Sequence, residues 1–227
     1  MPVLCGKILS KRRKQMMQGS NRVLVLAPHT DDGEFGCGGS IAKFIEEGKE
    51  VFYVAFSTAE KSVPEGLPKN ILEVEVKAAT KRLGIPPANL IIYKYEVRKL
   101  NYVRQEILEE LVKMKKEIAP NLVFIPSPND LHQDHQTVAV ESIRAFKRNS
   151  ILGYELPWNN ITFHTHAFIK LDKAHLEKKI YALKSYESQS HRDYATEDFI
   201  RSWAKTRGTQ IGAQYAETFE VIRWIIE

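Results

Sequence analysis

At 227 residues, with 43% hydrophobic and 27% charged side chains, the chain reads as one globular domain large enough to bury a substantial core. It has no apolar run near the ~18–20 residues of a membrane span, and its two cysteines, Cys5 and Cys37, build no disulfide framework, which fits a reducing cytoplasm. The net charge of +5 does not point to nucleic acid: basic residues are interleaved with glutamates, as where Glu106, Glu109 and Glu110 precede Lys113, Lys115 and Lys116, the pattern of solvated helix faces.

Residues 1–20 carry the densest basic run, Lys11-Arg12-Arg13-Lys14, with no apolar stretch after it of the kind a secretory signal needs. They read as an N-terminal extension to a domain spanning 21–227. From residue 21 strands and helices alternate. Short apolar runs bounded by Gly, Pro or Asn predict strands at 23–27, 51–57, 90–93 and 122–126. Helical patterns lie between them at 39–47, at 70–83 (ended by Gly84 and Pro86) and at 102–118 (ended before Pro120). The remainder reads as a helix at 136–148, strands at 151–156 and 167–171, helices at 173–186 and 196–206, and a final strand at 218–224. This alternation predicts right-handed βαβ units, hence an α/β fold: a Rossmann-like, doubly wound, mostly parallel sheet with helices on both faces, in a single domain.

Two polar clusters follow two of the predicted strands. Ala27-Pro28-His29-Thr30-Asp31-Asp32 comes directly after Val23-Leu24-Val25-Leu26, and Asp130-Leu131-His132-Gln133-Asp134-His135 comes shortly after Leu122-Val123-Phe124-Ile125. With the doubly wound order 3-2-1-4-5, strands one and four are neighbours, and the crevice at their carboxyl ends is where such folds bind ligands. Motifs about 100 residues apart then meet across one strand spacing, ~5 Å. A hydrolytic zinc site needs three protein ligands and an open position. His29, Asp31, Asp32, His132, Asp134 and His135 exceed that, and the surplus can supply a base for water and a donor for an oxyanion. The Gly-rich stretch 33–39 does not fit G-x-G-x-x-G, and the carboxylates at its entry would repel a pyrophosphate, so a dinucleotide site is excluded. His164 and His166 alternate on one strand face and read as structural or pocket residues, His175 and His191 as surface residues, and Trp158 as a core cover.

The quoted motifs resemble a known family. His29-Thr30-Asp31-Asp32 with Gly33-Glu34, followed by Gly38-Gly39, is similar to the His-Pro-Asp-Asp motif of the LmbE / PIG-L deacetylases, and His132-Gln133-Asp134-His135 to that family's His-x-Asp-His motif. The likeness extends through Leu83-Gly84, Ser188-Gln189, Arg207-Gly208 and Ala216-Glu217, and so over most of 21–227. It implies a zinc-dependent N-deacetylase that removes the acetyl group from an N-acetylated amino sugar or its conjugate. It also implies that iron(II) can replace zinc in the cell, and that the protein is a cytoplasmic homo-oligomer (trimer or hexamer) with a small-molecule substrate and no nucleic-acid or membrane partner. Carried onto this chain, the pattern makes His29, Asp32 and His135 the metal ligands and Asp31 the general base that takes a proton from water. His132, held by Asp134, becomes the acid or oxyanion stabiliser, kept cationic by that carboxylate to protonate the leaving amine.

Three departures stand out: Thr30 occupies the usual Pro position, Gly33 separates Glu34 from the Asp pair, and Leu72 stands where some members carry a substrate Arg. Arg98, Arg104 or Arg207, with Asn129, are then the candidate substrate contacts. An amidase of a sugar–thiol conjugate and a non-enzymatic metal-binding protein, whose structural zinc would be closed by four ligands, are the alternatives.

Overall fold

A computed structural model describes residues 22–226, so the basic run and Cys5 lie outside the described residues. The elements are β1 (Arg22–His29), α1 (Asp32–Glu46), β2 (Glu50–Ser57), α2 (Ile71–Leu83), β3 (Leu90–Ile92), α3 (Arg104–Ile118), β4 (Leu122–Pro126) and α4 (Gln133–Ala145). They continue as β5 (Ser150–Tyr154), β6 (Ala167–Leu171), α5 (Lys173–Leu183), α6 (Glu197–Thr209) and β7 (Tyr215–Arg223). The seven strands form one sheet in the order β3-β2-β1-β4-β5-β7-β6. The first five are parallel, in the predicted order, and β7 runs antiparallel to both β5 and β6.

β1 sits near the middle of the sheet, and its residues from Val23 to Pro28 are buried, as a parallel strand covered on both faces requires. Its side chains alternate between two cores. Val23, Val25 and Ala27 pack with Phe35, Ile41, Val76 and Ile180 under α1, α2 and α5. Leu24 and Leu26 pack with Ile107, Leu111 and Val138 under α3 and α4. Opposite β1, Val23 pairs with Leu122 and Val25 with Phe124. The two strands therefore deliver their carboxyl ends, and the polar clusters that follow, to one edge. Among the described residues no helix is long and apolar enough to cross a membrane.

The first helix differs from expectation. It starts at Asp32 rather than residue 39, with a break at Cys37, whose φ of −144° and ψ of 22° are not helical. The groups freed at the break find distant partners. The Glu217 carboxylate accepts from Gly39 N (2.9 Å), Ser40 N (2.7 Å) and Ser40 Oγ (2.6 Å). Lys179 Nζ donates to Phe35 O (2.5 Å) and to Glu217 (2.7 Å). A buried ion pair from α5 and β7 thus caps both half-helices, satisfying groups that a helix end leaves orphaned. A Cβ at Gly39 would lie 2.4 Å from Leu171 Cδ1 and 3.2 Å from Glu217 Oε1, so a larger residue there would have to displace the leucine side chain. Local periodicity carries no trace of partners 140 or more positions away, so only the regular second half was predicted. His175 is also corrected: it is buried, not a surface residue, and caps α5 with Asp172 while its ring meets Glu46.

Removing one partner of a buried pair leaves an uncompensated charge. Lys179→Met is therefore expected to lower the unfolding free energy by ~3–5 kcal/mol, read by urea denaturation. Its exposed neighbour Lys178, replaced in the same way, stays within ~0.5 kcal/mol of the parent. Equal effects at the two positions would refute the capping role.

Candidate active site

His29 closes β1, Asp31 is the N-cap of α1, and Asp32 is that helix's first residue. Across the strand gap, His132 is the N-cap of α4 and His135 lies in its first turn. Three atoms from the two clusters converge. His29 Nδ1 is 3.3 Å from Asp32 Oδ2, His135 Nε2 is 3.2 Å from the same oxygen, and the two nitrogens are 3.2 Å apart. Each imidazole is held from behind: His29 Nε2 meets Asp134 Oδ2 at 3.0 Å, and His135 Nδ1 meets Asp130 Oδ2 at 2.7 Å. The three imidazoles, His132 included, also present nitrogens that lie within 4.8 Å of one another.

Burial opposes charge on both histidines, but the carboxylates around them outweigh it. The Asp134 and Asp32 hydrogen bonds push His29 up to about 9, and Asp32 with Asp130 pushes His135 up to about 10. Asp32 goes the other way, held well below the usual carboxylate range by His135 and His29 despite its burial. Asp31 is pushed up to about 7 by burial and then by the neighbouring Asp32 charge, and it faces the cavity.

The expected partnership of His132 with Asp134 is not found. The Asp134 carboxylate turns to His29 and accepts from Arg98 N (2.6 Å) and Leu100 N (3.1 Å), while only its backbone N–H reaches His132, at Nδ1 (3.1 Å). With Nδ1 accepting, a neutral His132 carries its proton on Nε2. Burial, then the charges on His29 and His135, lowers its pKa to about 4.

The turn that bears these groups is braced from below. The hydroxyls of Tyr53 and Tyr186 reach the Thr30 carbonyl at 2.9 and 2.8 Å, and both also meet the Glu34 carboxyl. Burial pushes Glu34 up to about 8, with the two phenols pulling against it. Glu34, one residue late in the motif, thus joins the two tyrosine hydroxyls beneath the turn.

A cavity of about 320 Å³ opens over the cluster, lined also by Leu72, Trp158, Asn159, Gln189, Arg192 and Tyr194. None of the four proposed substrate contacts borders it. Arg104 is held by Glu141 and Arg207 by Glu155. Asn129 bonds Glu220 at 3.2 Å, and the Arg98 guanidinium reaches only Ser62 Oγ, at 3.5 Å. Trp158 packs as expected, stacked on Tyr194 at 3.9 Å and edge-on to Phe35. His164 and His166 are exposed and lie outside the cavity, as does His191. Sequence reasoning quoted Asp130 as the start of the second cluster without foreseeing that it holds His135, and it passed over Tyr53, Tyr186 and Arg192, which leave no signal in local pattern.

Residues 24–146 match the family model described as PIG-L: GlcNAc-PI de-N-acetylase. The chain is 26% identical over 221 residues to the diacetylchitobiose deacetylase of Thermococcus kodakarensis, covering 86% of this chain and 81% of that protein. It is 25% identical over 189 residues to a probable N-acetyl-alpha-D-glucosaminyl L-malate deacetylase 2 of Bacillus anthracis, covering 76% and 83%. The solved N,N'-diacetylchitobiose deacetylase of Pyrococcus horikoshii, complexed with its inhibitor MPG, superposes with a TM-score of 0.75 at 24% identity, covering 90% of this chain and 85% of that one. This last likeness is one of fold.

Arg98 binds Asp134 through its backbone at a φ of 67°, a left-handed conformation that L-residues adopt at a cost of ~1–2 kcal/mol. Arg98→Gly is expected to keep or raise thermal stability, and Arg98→Val to lower it by ~1 kcal/mol or more. If glycine were the more damaging replacement, the side chain and not the backbone would be what matters there.

Proposed function

This chain belongs to the PIG-L family of de-N-acetylases, hydrolases of an amide bond, and on that premise we propose that it removes the acetyl group from an N-acetylated amino sugar or its conjugate with the help of a divalent metal. The observation that carries the reading is the convergence of His29 Nδ1, Asp32 Oδ2 and His135 Nε2, each imidazole backed by a carboxylate.

The donor set fits zinc. Ligands about 2.0–2.1 Å from a tetrahedral ion lie roughly 3.3 Å apart, and the three atoms are separated by 3.2 to 3.3 Å. Metal-binding histidines characteristically anchor their second nitrogen on a carboxylate, the part taken here by Asp134 and Asp130. His29, Asp32 and His135 are therefore the proposed ligands. The set of three imidazoles is looser, and His132 already spends Nδ1 on the cap of α4. Bound there, zinc supplies Lewis acidity, polarising a carbonyl and bringing the pKa of water toward ~7.

The remaining groups divide the proton traffic. Asp31, on the cavity with a carboxyl poised near neutrality, accepts a proton from the attacking water. The water oxygen joins the acetamide carbon, and His132 Nε2–H stabilises the charge growing on the carbonyl oxygen. As the C–N bond breaks, the proton held by Asp31 passes to the leaving amine, giving acetate and a free amine. This moves amine protonation from His132 to Asp31, because a neutral imidazole is a poor acid.

The cavity volume of about 320 Å³ stands at the low end of ligand pockets. That favours a compact sugar over the bulky amide of a thiol conjugate. A purely structural metal would leave Asp31 and His132 on the cavity without a task. The curated relatives act, by their names, on diacetylchitobiose and on an N-acetylglucosaminyl malate, in keeping with an amino-sugar acetamide.

The test is acetate release from N-acetylated sugars by protein stripped of metal and re-supplied with zinc. Zinc-dependent release supports the reading, and its absence across the panel overturns it. Asp31→Asn should cut kcat by about 10² or more while one zinc per chain remains by mass spectrometry; full activity would remove Asp31 as the base. Asp32→Ala should lose the zinc and His132→Ala should keep it, and the reverse pattern would favour the imidazole triad.

A further inference from the structure

Among the described residues that line the cavity, Arg192 is the single Lys or Arg. Among the described residues its guanidinium has no hydrogen-bonding or ion-pair partner, whereas Arg104, Arg201 and Arg207 are each held by glutamates. The backbone that carries it is fixed. Tyr186, just before this segment, is tied to the Thr30 carbonyl at 2.8 Å. Ser188 is clamped by the buried Glu75, through N at 2.9 Å and Oγ at 2.6 Å. Arg192 N donates to Gln189 O, Ala195 N donates to Arg192 O, and Tyr194 is stacked on Trp158. Arg192 is exposed, and its side chain, unpaired among the described residues, is carried by a fixed segment that borders the cavity containing His29 and Asp31.

A guanidinium is charged at every relevant pH, and its planar fork matches a carboxylate or phosphate in two parallel hydrogen bonds. On the deacetylase reading the acetamide lies at the His29–Asp32–His135 cluster, of which Arg192 is not a member, which leaves Arg192 to meet another part of the substrate. Leu72, Phe35 and Trp158 add apolar surface to the same cavity and provide no competing positive charge. We propose that Arg192 determines specificity by recognising a carboxylate or phosphate carried by the substrate away from its acetamide, so that the preferred substrate is an anionic derivative of an N-acetylated amino sugar. The proposal rests on the deacetylase reading of the same site.

Binding is measured by calorimetry on zinc-loaded Asp31→Asn protein, so that turnover does not interfere. The probes are N-acetylglucosamine 6-phosphate, N-acetylmuramic acid and the neutral methyl glycoside of N-acetylglucosamine. One anionic probe is expected to bind at least tenfold tighter than the neutral one, and whether the phosphate or the carboxylate does so identifies the anion. Adding Arg192→Ala should erase that advantage while changing the affinity for the neutral sugar less than twofold, and Arg192→Lys should retain part of it. An anionic advantage that survives Arg192→Ala, no advantage in the parent, or no binding of any probe overturns the proposal. Acetate release by the unmutated protein is scored separately. Anion selectivity through Arg192 without release would sink the deacetylase reading and leave this recognition standing, and release without selectivity would do the opposite.

Discussion

The parallel pairing of β1 with β4 is the constraint on which the rest of the structure depends. Val23 opposite Leu122 and Val25 opposite Phe124 set the register, and from that register two polar clusters are carried to one end of the sheet. The pairing is stable because both strands are apolar and covered on both faces, where burial yields about 25 cal/mol for each Å² removed from water. Hydrophobic burial along the strands thereby offsets the desolvation of Asp32, His29 and His135 at their ends. The same arrangement leaves His29 and His135 no choice of partner, since each meets Asp32 on one side and its own carboxylate on the other.

Burying so many charges demands that each find its counterpart, and the chain meets the demand with groups from remote elements. Asp134 is fixed by two backbone N–H groups of the loop before α3, one of them on a residue in the left-handed region. Glu217 and Lys179 close the break in α1. Tyr53 and Tyr186 grip the Thr30 carbonyl from either side. Such supports matter for chemistry because donor atoms must be held to within ~0.5 Å of a productive geometry. They also explain why α1 is interrupted: its first turn answers to the site, its later turns to the packing against α5.

The parts of this design that were legible in the sequence are those written in local pattern. The parallel strands are written as short apolar runs, and the ends of those runs locate the two clusters. The strand order then predicted that His29 and His135 would meet. Which carboxylate serves which imidazole was not legible. Asp134 lies closer in sequence to His132, yet its side chain points back to His29 on the neighbouring strand, because the start of α4 commits its backbone N–H to His132 instead. The candidate arginines failed for a related reason. Arg104 and Arg207 have the right charge, but buried glutamates at positions 141 and 155 claim them, and nothing in sequence spacing distinguishes a claimed guanidinium from a free one. Arg192 leaves no such mark in the sequence: that its guanidinium has no partner among the described residues is a property of the folded chain.

On the proposed reading, chemistry and recognition lie on different parts of the chain. The two polar clusters stand beyond the ends of β1 and β4, in the middle of the sheet, where a shift in one strand would disturb both cores. The unpaired guanidinium stands on the connection between α5 and α6, tethered at Ser188 and Tyr194 but outside the sheet. The two are joined through one hydrogen bond: Tyr186 lies on that connection, braces the Thr30 carbonyl at the centre of the polar turn and is itself secured by it. Loosening the turn would therefore loosen the segment that carries Arg192, and loosening Tyr186 would release the turn.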